Sequence, residues 1–408
     1  MTRLGDVCAI RYGKDHKKLS DGSVPTYGSG GIMRYVDTAI CEQPSVLIPR
    51  KGTLGNLFYT DEPFWTVDTL FWTDIDQTKI VPKYLYYQLK QKDLASYNVG
   101  TAVPSLTVEV LNEIDLDVPS IDKQRRIVEV LNSFDSKIAL NNQLNDYLAN
   151  LLDAAFANSA KSGSKEFGLP EVVDILSGGT PRTKNAEYWE DGRIPFFTPG
   201  DVTNSVYTLT TEKHITDVGL DNCNSELYPV DTVFLTARGT VGKVAIAGRP
   251  MAMNQSCFAF RGKSIPQSVV FQIIKNAVKT LRAKANGATF AAINTRDLKI
   301  ETVAVPCNKE IAHYDESASK WLDLIRTNEE ENLQLSALRD ILLPKLMSGE
   351  IDVSKVDLTQ LTNNHLAGRM HWSTVIRVRA IHAVHSRQSQ IPAYESVPRV
   401  LHSHATPP

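Results

Sequence analysis

The sequence repeats itself at a constant offset of 187 residues. Residues 46–55 read VLIPRKGTLG and residues 233–242 read VFLTARGTVG, while 100–106 (GTAVPSL) lie over 287–293 (GATFAAI). The offset holds without a gap from about residue 46 to about residue 156, and chance similarity does not keep register over such a length. The 408 residues therefore contain two copies of one folding unit rather than one large domain.

Each copy has the same internal order. A segment rich in glycine, aromatic and β-branched residues comes first, and its short runs predict strands such as Ser45–Ile48, Thr69–Thr73, Thr232–Thr236 and Cys257–Arg261. A Val-Pro pair ends the segment, and a run without interior glycine or proline follows, at 121–160 and at 308–343. These runs predict helices, and about 36 residues would reach roughly 54 Å. The predicted fold class is α+β.

The two predicted long helices carry apolar residues at coiled-coil spacing, from Ile127 to Leu151 in the first and from Trp321 to Leu346 in the second. The middle of each apolar stripe is polar. The polar positions are Asn141, Asn145, Asn328 and Asn332. A buried Asn costs stability but fixes helix register. We favour pairing of the two helices over packing of each on its own domain, because a duplication makes them a pseudo-symmetric pair.

Composition and charge limit the classes of function. A net charge of −2 argues mildly against nucleic-acid binding, but residues 243–299 contain ten basic residues and a single acidic one, Asp297. That block can create a local positive field. The sequence contains no run of eighteen or more apolar residues, so it predicts no membrane-spanning helix. Five scattered cysteines favour a reduced, cytoplasmic protein.

Several segments resemble the specificity subunits of type I restriction–modification systems. Residues 24–32 (VPTYGSGGI) resemble the opening of a target-recognition domain, as do residues 177–181 (SGGTP). Residues 119–128 (PSIDKQRRIV) look like the start of that family's central spacer helix, and 342–351 (LLPKLMSGEI) like the end of its distal one. Residues 308–313 (NKEIAH), where the distal helix would begin, match less well.

The resemblance implies two pseudo-symmetric target-recognition domains separated by a pair of long antiparallel coiled-coil helices. The implied bounds are 1–120 for domain one, 121–160 for the central helix, 161–307 for domain two and 308–350 for the distal helix. The resemblance ends near residue 357, and the polar composition of the remaining segment, 351–408, predicts a disordered tail. The chain would be non-catalytic, would read a bipartite site in double-stranded DNA, and would dock two methyltransferase subunits and translocase–endonuclease subunits. S-adenosylmethionine, Mg and ATP would be used by those partners, with no cofactor in this chain.

Candidate DNA contacts are cations and amides near glycine turns and on one helix face. Lys51 and Arg238 are equivalent positions, each followed by Gly-Thr-x-Gly, from which a cation can reach a phosphate or a guanine edge. On a helix expected at 267–285, Lys275, Lys279 and Arg282 share a face without a balancing acidic residue, which predicts contact with the DNA backbone. The other candidates are Lys14, Lys17, Lys18, Tyr27, Arg34, Arg50, Arg182, Lys184, Lys243, Asn254 and Gln255. For each of these, an ordinary surface role remains open, as does a plain hairpin for the glycine turns.

The sequence does not match the motifs expected for catalysis, metal binding or nucleotide binding. Residues 28–33 end in Met33 where a dinucleotide fingerprint needs Gly or Ala, and 237–244 has Ala237 and Val244 where a P-loop needs Gly and Ser or Thr. The sequence lacks the Pro-Pro-aromatic signature of amino-methyltransferases, and its nine histidines form no compact ligand set. Two rival classes stay open: a fused enzyme with a cryptic nuclease, and a coiled-coil adaptor that binds only proteins.

Overall fold

The structure is a computed structural model that describes residues 2–100, 103–284 and 292–356. It divides into two units, Met1–Ile351 and Asp352–Pro408. Of the second unit only residues 352–356 are described, with a short 3-10 turn at Val353–Lys355. The tail that is predicted to be disordered therefore lies, from residue 357 onward, outside the described residues. The first unit contains both copies of the repeat.

Domain one, which precedes residue 121, is built from short strands and helices. Its strands are β1 (Thr2–Arg3), β2 (Cys8–Tyr12), β3 (Asp21–Gly28), β4 (Gly31–Val36), β5 (Ser45–Pro49), β6 (Phe58–Thr60), β7 (Trp65–Thr66), β8 (Leu70–Ile75) and β9 (Asp115–Leu116). Its helices are α1 (Leu4–Val7), α2 (Pro82–Lys90) and α3 (Val108–Asn112), with a 3-10 turn at Leu94–Tyr97. The long helix α4 (Ile121–Lys161) follows.

Domain two lies between α4 and the second long helix, α9 (Asn308–Ser348). Its strands are β10 (Ser164–Gly168), β11 (Val173–Ser177), β12 (Ile194–Phe197), β13 (Tyr207–Thr208), β14 (Lys213–Ile215), β15 (Val233–Thr236), β16 (Val244–Ala247), β17 (Ala252–Met253), β18 (Cys257–Gly262) and β19 (Thr302–Pro306). Its helices are α5 (Leu169–Val172), α6 (Asp217–Asp221), α7 (Gln267–Lys284) and α8 (Thr295–Ile300), with 3-10 turns at Ala186–Tyr188 and Pro199–Asp201.

The two domains repeat the same pair of sheets. Domain one has a sheet in the order β2-β8-β5-β6 and a second in the order β4-β3-β7. Domain two has the equivalent orders β11-β18-β15-β16 and β14-β12-β17, and β13 adds a parallel edge strand beside β16. The predicted α+β fold with two pseudo-symmetric domains is confirmed.

The central strand of each larger sheet is apolar because both of its faces are covered. Every residue of β5 and of β15 is buried, which suits their continuous Val, Leu, Ile and Phe content. Polar atoms in this layer bond to each other: Ser45 Oγ donates to the Thr73 carbonyl at 2.8 Å, and Val46 N–H donates to Thr73 Oγ1 at 2.8 Å. These bonds remove the cost of burying the two hydroxyls.

The long helices are equivalent over their whole length. Each has 41 residues, so each reaches about 60 Å, and the offset of 187 relates both their first and their last residues. Helix α4 starts at an N-cap, where Ser120 Oγ accepts from Lys123 N–H at 3.5 Å. Helix α9 runs through Pro344 and ends at Ser348; the next residue, Gly349, has a φ of +79°, the left-handed conformation common just after helix ends.

Helices α4 and α9 pack antiparallel, with the four asparagines at their centre. Asn141 Nδ2 donates to Asn332 Oδ1 at 2.9 Å, and Asn328 Nδ2 donates to Asn145 Oδ1 at 2.8 Å. Because 141 and 145 become 328 and 332 on adding the offset, each pair is the two-fold image of the other. The predicted pairing of the long helices is confirmed.

Domain two packs against both long helices, and domain one packs against α4. In domain two, Phe156 of α4 meets Tyr314 of α9 with ring centroids 5.3 Å apart, inside one core with the sheet and α7. In domain one, Tyr87 Oη donates to Asp135 of α4 at 2.5 Å, and Arg339 of α9 pairs with the same carboxylate at 2.8 Å. Helix pairing and helix–domain packing therefore occur together, although the sequence presented them as alternatives.

Candidate nucleic-acid interface

Four loops meet at one end of domain one, and we call this the loop end. The loops follow β2, β3, β5 and β7, and comprise residues 13–20, 29–30, 50–57 and 67–69. Backbone hydrogen bonds join them: Lys14 N–H to Thr66 O at 2.8 Å, Val67 N–H to Tyr27 O at 3.0 Å, and Arg50 N–H to Thr69 O at 2.9 Å. The loops are thus fixed against each other by main-chain contacts.

Domain two repeats the loop end with the equivalent loops, which follow β11, β12, β15 and β17. The corresponding bonds are Gly179 N–H to Met253 O at 3.1 Å, Asn254 N–H to Phe197 O at 3.0 Å, and Ala237 N–H to Ser256 O at 2.8 Å. A fourth contact also recurs, as Leu106 N–H to Arg50 O at 3.0 Å and as Ile293 N–H to Ala237 O at 2.9 Å. The duplication has preserved how the loops are held, while their side chains differ.

A glycine turn presents the equivalent cations Lys51 and Arg238. The next residues, Gly52 and Gly239, have φ of +90° and +74°, and glycine takes this left-handed region without the steric cost of a side chain. The side chains of Lys51 and Arg238 are exposed. The motif therefore places one cation at the same point of each loop end.

The other predicted loop cations lie in these loops or next to them. Exposed cations are Lys14, Lys17, Lys18, Arg182, Lys184 and Lys243. Arg50 is half-buried: its guanidinium lies 5.3 Å from the ring centroid of Tyr12 and donates to the Asp68 carbonyl at 3.2 Å. The exposed cations are free to approach an anion, whereas Arg50 is held against domain one.

Arg282 supports the loop end from α7. Its guanidinium donates to the carbonyls of Val241 and Gly242 at 2.8 and 3.1 Å. It therefore fixes the loop that carries Arg238 and Lys243. Lys279, one turn earlier on α7, is exposed.

The expectation that no acidic residue balances the basic face of α7 is wrong at Lys275. Its ammonium lies 2.5 Å from a carboxylate oxygen of Asp153 on α4. Helix α2 uses the same arrangement, since Lys83 donates to Asn132 at 2.5 Å and lies 3.6 Å from Asp135. The balancing carboxylates come from α4, which a survey of one helix cannot show.

Tyr27 and Arg34, predicted as base readers, are engaged within domain one. The ring of Tyr27 lies 5.9 Å from that of Phe58, and burial raises the pKa of its hydroxyl. Arg34 donates to Asp21 at 2.6 Å and to the Leu19 carbonyl at 3.2 Å. Both side chains shape the hairpin that β3 and β4 form.

Asn254 and Gln255 lie at the loop end of domain two. Asn254 Oδ1 accepts from Ser256 N–H at 3.0 Å, and Gln255 Oε1 accepts from the hydroxyl of Thr180. These bonds fix the orientation of both amides at the surface, where Gln255 is exposed and Asn254 half-buried.

The sequence reasoning missed exposed apolar side chains on strands β2 and β4, which lead into and out of the loop end of domain one. Ile32, Met33 and Tyr35 of β4 are about half-exposed, as is Tyr12 under Arg50. A large apolar side chain on a surface strand gives no signal in composition or periodicity, because the same residues are usual in a core.

Two structural findings limit other kinds of site. Within residues 2–100, 103–284 and 292–356 there is no group of three or more His, Cys, Asp or Glu side chains that could hold a metal ion. Over the same residues, no helix has the length and apolar content needed to cross a membrane.

Comparison with known proteins assigns the family. A family model described as "Type I restriction modification DNA specificity domain" matches residues 1–150 and 161–334. The chain belongs to this family. The two matched stretches cover the two domains and most of the helix pair, and the resemblance to type I specificity subunits is confirmed.

Individual relatives agree with the family. The MjaIX specificity subunit of Methanocaldococcus jannaschii is 30% identical over 172 residues, which are 40% of this chain and 39% of that relative. The HindI specificity subunit of Haemophilus influenzae is 21% identical over 363 residues, covering 67% of this chain and 78% of the relative. In the archaeal case, the match thus spans well under half of the relative's length.

A solved structure shares the architecture. The crystal structure of the type I restriction–modification S subunit from M. genitalium covers 85% of this chain and 95% of its own, with a TM-score of 0.53 and 17% identity. At that identity the similarity establishes the fold, and the roles of individual residues rest on the chain's own geometry.

Proposed function

We propose that the chain reads a bipartite site in double-stranded DNA, with one half-site at each loop end. The observation that carries the proposal is the repetition of the same backbone contacts in both domains, which presents exposed cations at equivalent points. Cations at fixed positions suit phosphate contacts, which orient a protein on DNA before side chains select bases.

The geometry of the helix pair supports reading by both domains together. Domain one is anchored to α4 at Asp135 and domain two at Asp153, which are about 27 Å apart along the helix. That distance equals roughly eight base pairs of B-DNA. Rotation about a two-fold axis keeps every direction that is parallel to the axis. Two loop ends that are related by this axis and point along it can therefore face the same duplex.

Exposed apolar residues on the helix pair support docking of protein partners. Leu140, Leu144 and Tyr147 follow each other at helical spacing on α4 and are exposed, as are Leu333 and Ile341 on α9. A helix pair with a second apolar stripe can pack against further helices, as in a four-helix bundle. We propose that two methyltransferase subunits dock there and that translocase–endonuclease subunits join them.

Under this proposal the chain is non-catalytic and works in the cytoplasm. S-adenosylmethionine, Mg and ATP would be used by the partner subunits.

A titration of the full chain against mixed-sequence duplex DNA tests the reading function. Affinity should fall steeply between 50 and 200 mM salt, by on the order of a thousandfold if about six phosphates are contacted. An adaptor that binds only proteins would show no such binding. Cleavage or methylation of DNA by the chain alone, with Mg and methyl donor, would instead identify a fused enzyme.

Replacing Leu144 and Tyr147 with Ser tests the docking surface. The double variant should keep its salt-dependent DNA binding and lose copurification of the methyltransferase subunits. Normal copurification would place the docking surface elsewhere.

A further inference from the structure

We propose that Ile32 and Met33 of domain one form an apolar wedge that enters the base stack of one half-site. The proposal rests on the DNA-reading function proposed above and deepens it, since it assigns residues to the unstacking of a base.

A β-bulge sets the direction of the two side chains. In the ladder between β3 and β4, Thr26 faces Arg34 and Tyr27 faces Ile32, so Met33 is the extra residue. A bulge interrupts the alternation of side chains between the two faces of a strand and often re-aims a side chain. Accordingly, the neighbours Ile32 and Met33 are both exposed, at 50% and 58%.

The hairpin places this pair at the loop end. Its tip, residues 28–31, is tied to the next loop by Asn56, whose Nδ2 donates to the Ser29 carbonyl at 2.7 Å. The same loop carries Lys51. At Gly30, no heavy atom other than those of Gly30 and its two chain neighbours lies within 4 Å of the position that a Cβ would take, so another molecule has room to approach this backbone closely.

An exposed cation at the same loop end favours DNA as the ligand of the wedge. The loop that carries the exposed Lys51 is bonded to the tip of this hairpin. A cation at the same loop end as two exposed apolar side chains matches a ligand with anionic phosphates outside and apolar base faces inside. DNA-binding proteins that insert Ile or Met between base steps partly unstack the duplex at that point. An adenine that is to be methylated must leave the stack, and a wedge beside it would fill the gap.

Domain two lacks this feature in its equivalent strand. Strand β14, which pairs antiparallel with β12 as β4 does with β3, carries Lys213 and His214. We therefore expect unstacking by the wedge at one half-site only, so that the other half-site is an internal control.

The test uses the full chain and duplexes that carry the motif found by methylation mapping, each with one adenine replaced by 2-aminopurine. Its fluorescence rises when the base unstacks. The variant Ile32→Thr with Met33→Gln should lose the rise in one half-site and keep it in the other. Ile32→Leu with Met33→Leu should behave like the wild-type chain, because both side chains remain apolar.

Affinity provides a second readout. The polar variant should bind the intact duplex on the order of tenfold more weakly than the wild type does. It should bind a duplex with an abasic site opposite the unstacked adenine about as well as the wild type does. Ile300→Ser is the matched control, since Ile300 is an exposed residue of α8 and lies outside the loops of the loop end. It should change neither readout.

Equal fluorescence in both half-sites for the polar variant, or an equal loss of affinity on the intact and abasic duplexes, would overturn the wedge. Failure of the wild-type chain to bind mixed-sequence DNA in a salt-dependent way would overturn the reading function instead.

Discussion

Lys51 and Arg238 show how single residues contribute to the loop ends. Each is exposed on a turn that glycine holds in a left-handed conformation, and the turn is bonded to the rest of its domain. If the proposed DNA contact is made, a cation presented in this way is already in position before binding. Its contribution to binding should therefore be electrostatic and largely independent of sequence.

Replacing Lys51 or Arg238 with Ala should reduce the salt dependence of DNA binding. Each variant should lower the slope of log K against log salt by about 1, because one phosphate contact is lost. The measurement is the affinity for mixed-sequence duplex at several salt concentrations. The control is Lys320→Ala, a charge change on α9 at a side chain that is 74% exposed. A slope unchanged in both loop variants would remove these residues from the interface.

The sequence could predict loop residues only where the signal is local. The Gly-Thr-x-Gly turns lie within a few residues, so their cations were identified. The ion pair of Lys275 has no local signal, because its partner Asp153 is 122 residues away in the chain. The bulge at Met33 was missed as well, since a period of two along β4 cannot show which residue is extra.

At the scale of elements, the asparagine pairs explain why α4 and α9 meet in one register. Asn141, Asn145 and Asn328 are buried, and a shift of the helices would leave their amides without partners. Such a shift costs the desolvation of each unpaired group. The asparagines thus exclude other alignments of two long apolar stripes.

The variant Asn328→Ala should destabilise the chain. It leaves Asn145 Oδ1 without its 2.8 Å donor, at a cost of about 1–3 kcal/mol. Replacing both Asn145 and Asn328 with Leu should restore or exceed wild-type stability, because no unpaired amide remains. Thermal unfolding midpoints give the comparison. A single variant as stable as the wild type would show that the pair does not hold the helices.

Glu329 lies where the extra strand of domain two, β13, contacts the helix pair. It is 7% exposed, its carboxylate lies beside the backbone of Val206 and Tyr207 at the start of β13, and among the described residues its Oε1 has no hydrogen-bond partner. Burial raises the pKa of this carboxyl to about 7. The equivalent residue in α4 is Asn142, which instead accepts from Asn332 at 2.8 Å. The helix pair is therefore asymmetric at this point.

The raised pKa of Glu329 predicts a pH-dependent stability. Folding favours the protonated carboxyl, so the free energy of unfolding should fall as pH rises from about 4.5 to about 7 and then level off. Glu329→Gln should remove this dependence and be more stable than the wild type at pH 8, by at most about 3 kcal/mol. Urea unfolding between pH 4.5 and 8 measures it, with Glu316→Gln as an exposed control. Parallel curves for wild type and Glu329→Gln would contradict the assignment.

The sequence predicted the elements better than their assembly. The duplicated sheets and both long helices follow from local pattern and from the offset. Strand β13 was not predicted, since its two residues, Tyr207 and Thr208, give no period. Packing of the domains on the helix pair also remained hidden, because it depends on pairs that are far apart in the chain, such as Lys275 with Asp153, which are 122 residues apart.

At the scale of the whole molecule, the helix pair sets the distance between the two loop ends. The antiparallel helices carry one domain near each end, and the asparagine pairs lie at the two-fold centre between them. If both domains read one duplex, the number of base pairs between the half-sites must follow the length of this pair. No change in a loop would then alter that number.

Inserting four residues into each long helix, after Gln143 and after Glu330, tests the central claim most directly. The insertion lengthens the pair by about 6 Å, which equals at most about two base pairs of B-DNA. Methylated adenines would be mapped genome-wide in cells with the wild-type or the extended chain, and with the same insertion in the tail as control. We predict unchanged half-sites with a gap one or two base pairs longer in the extended chain only. The same gap in all three maps would contradict the account.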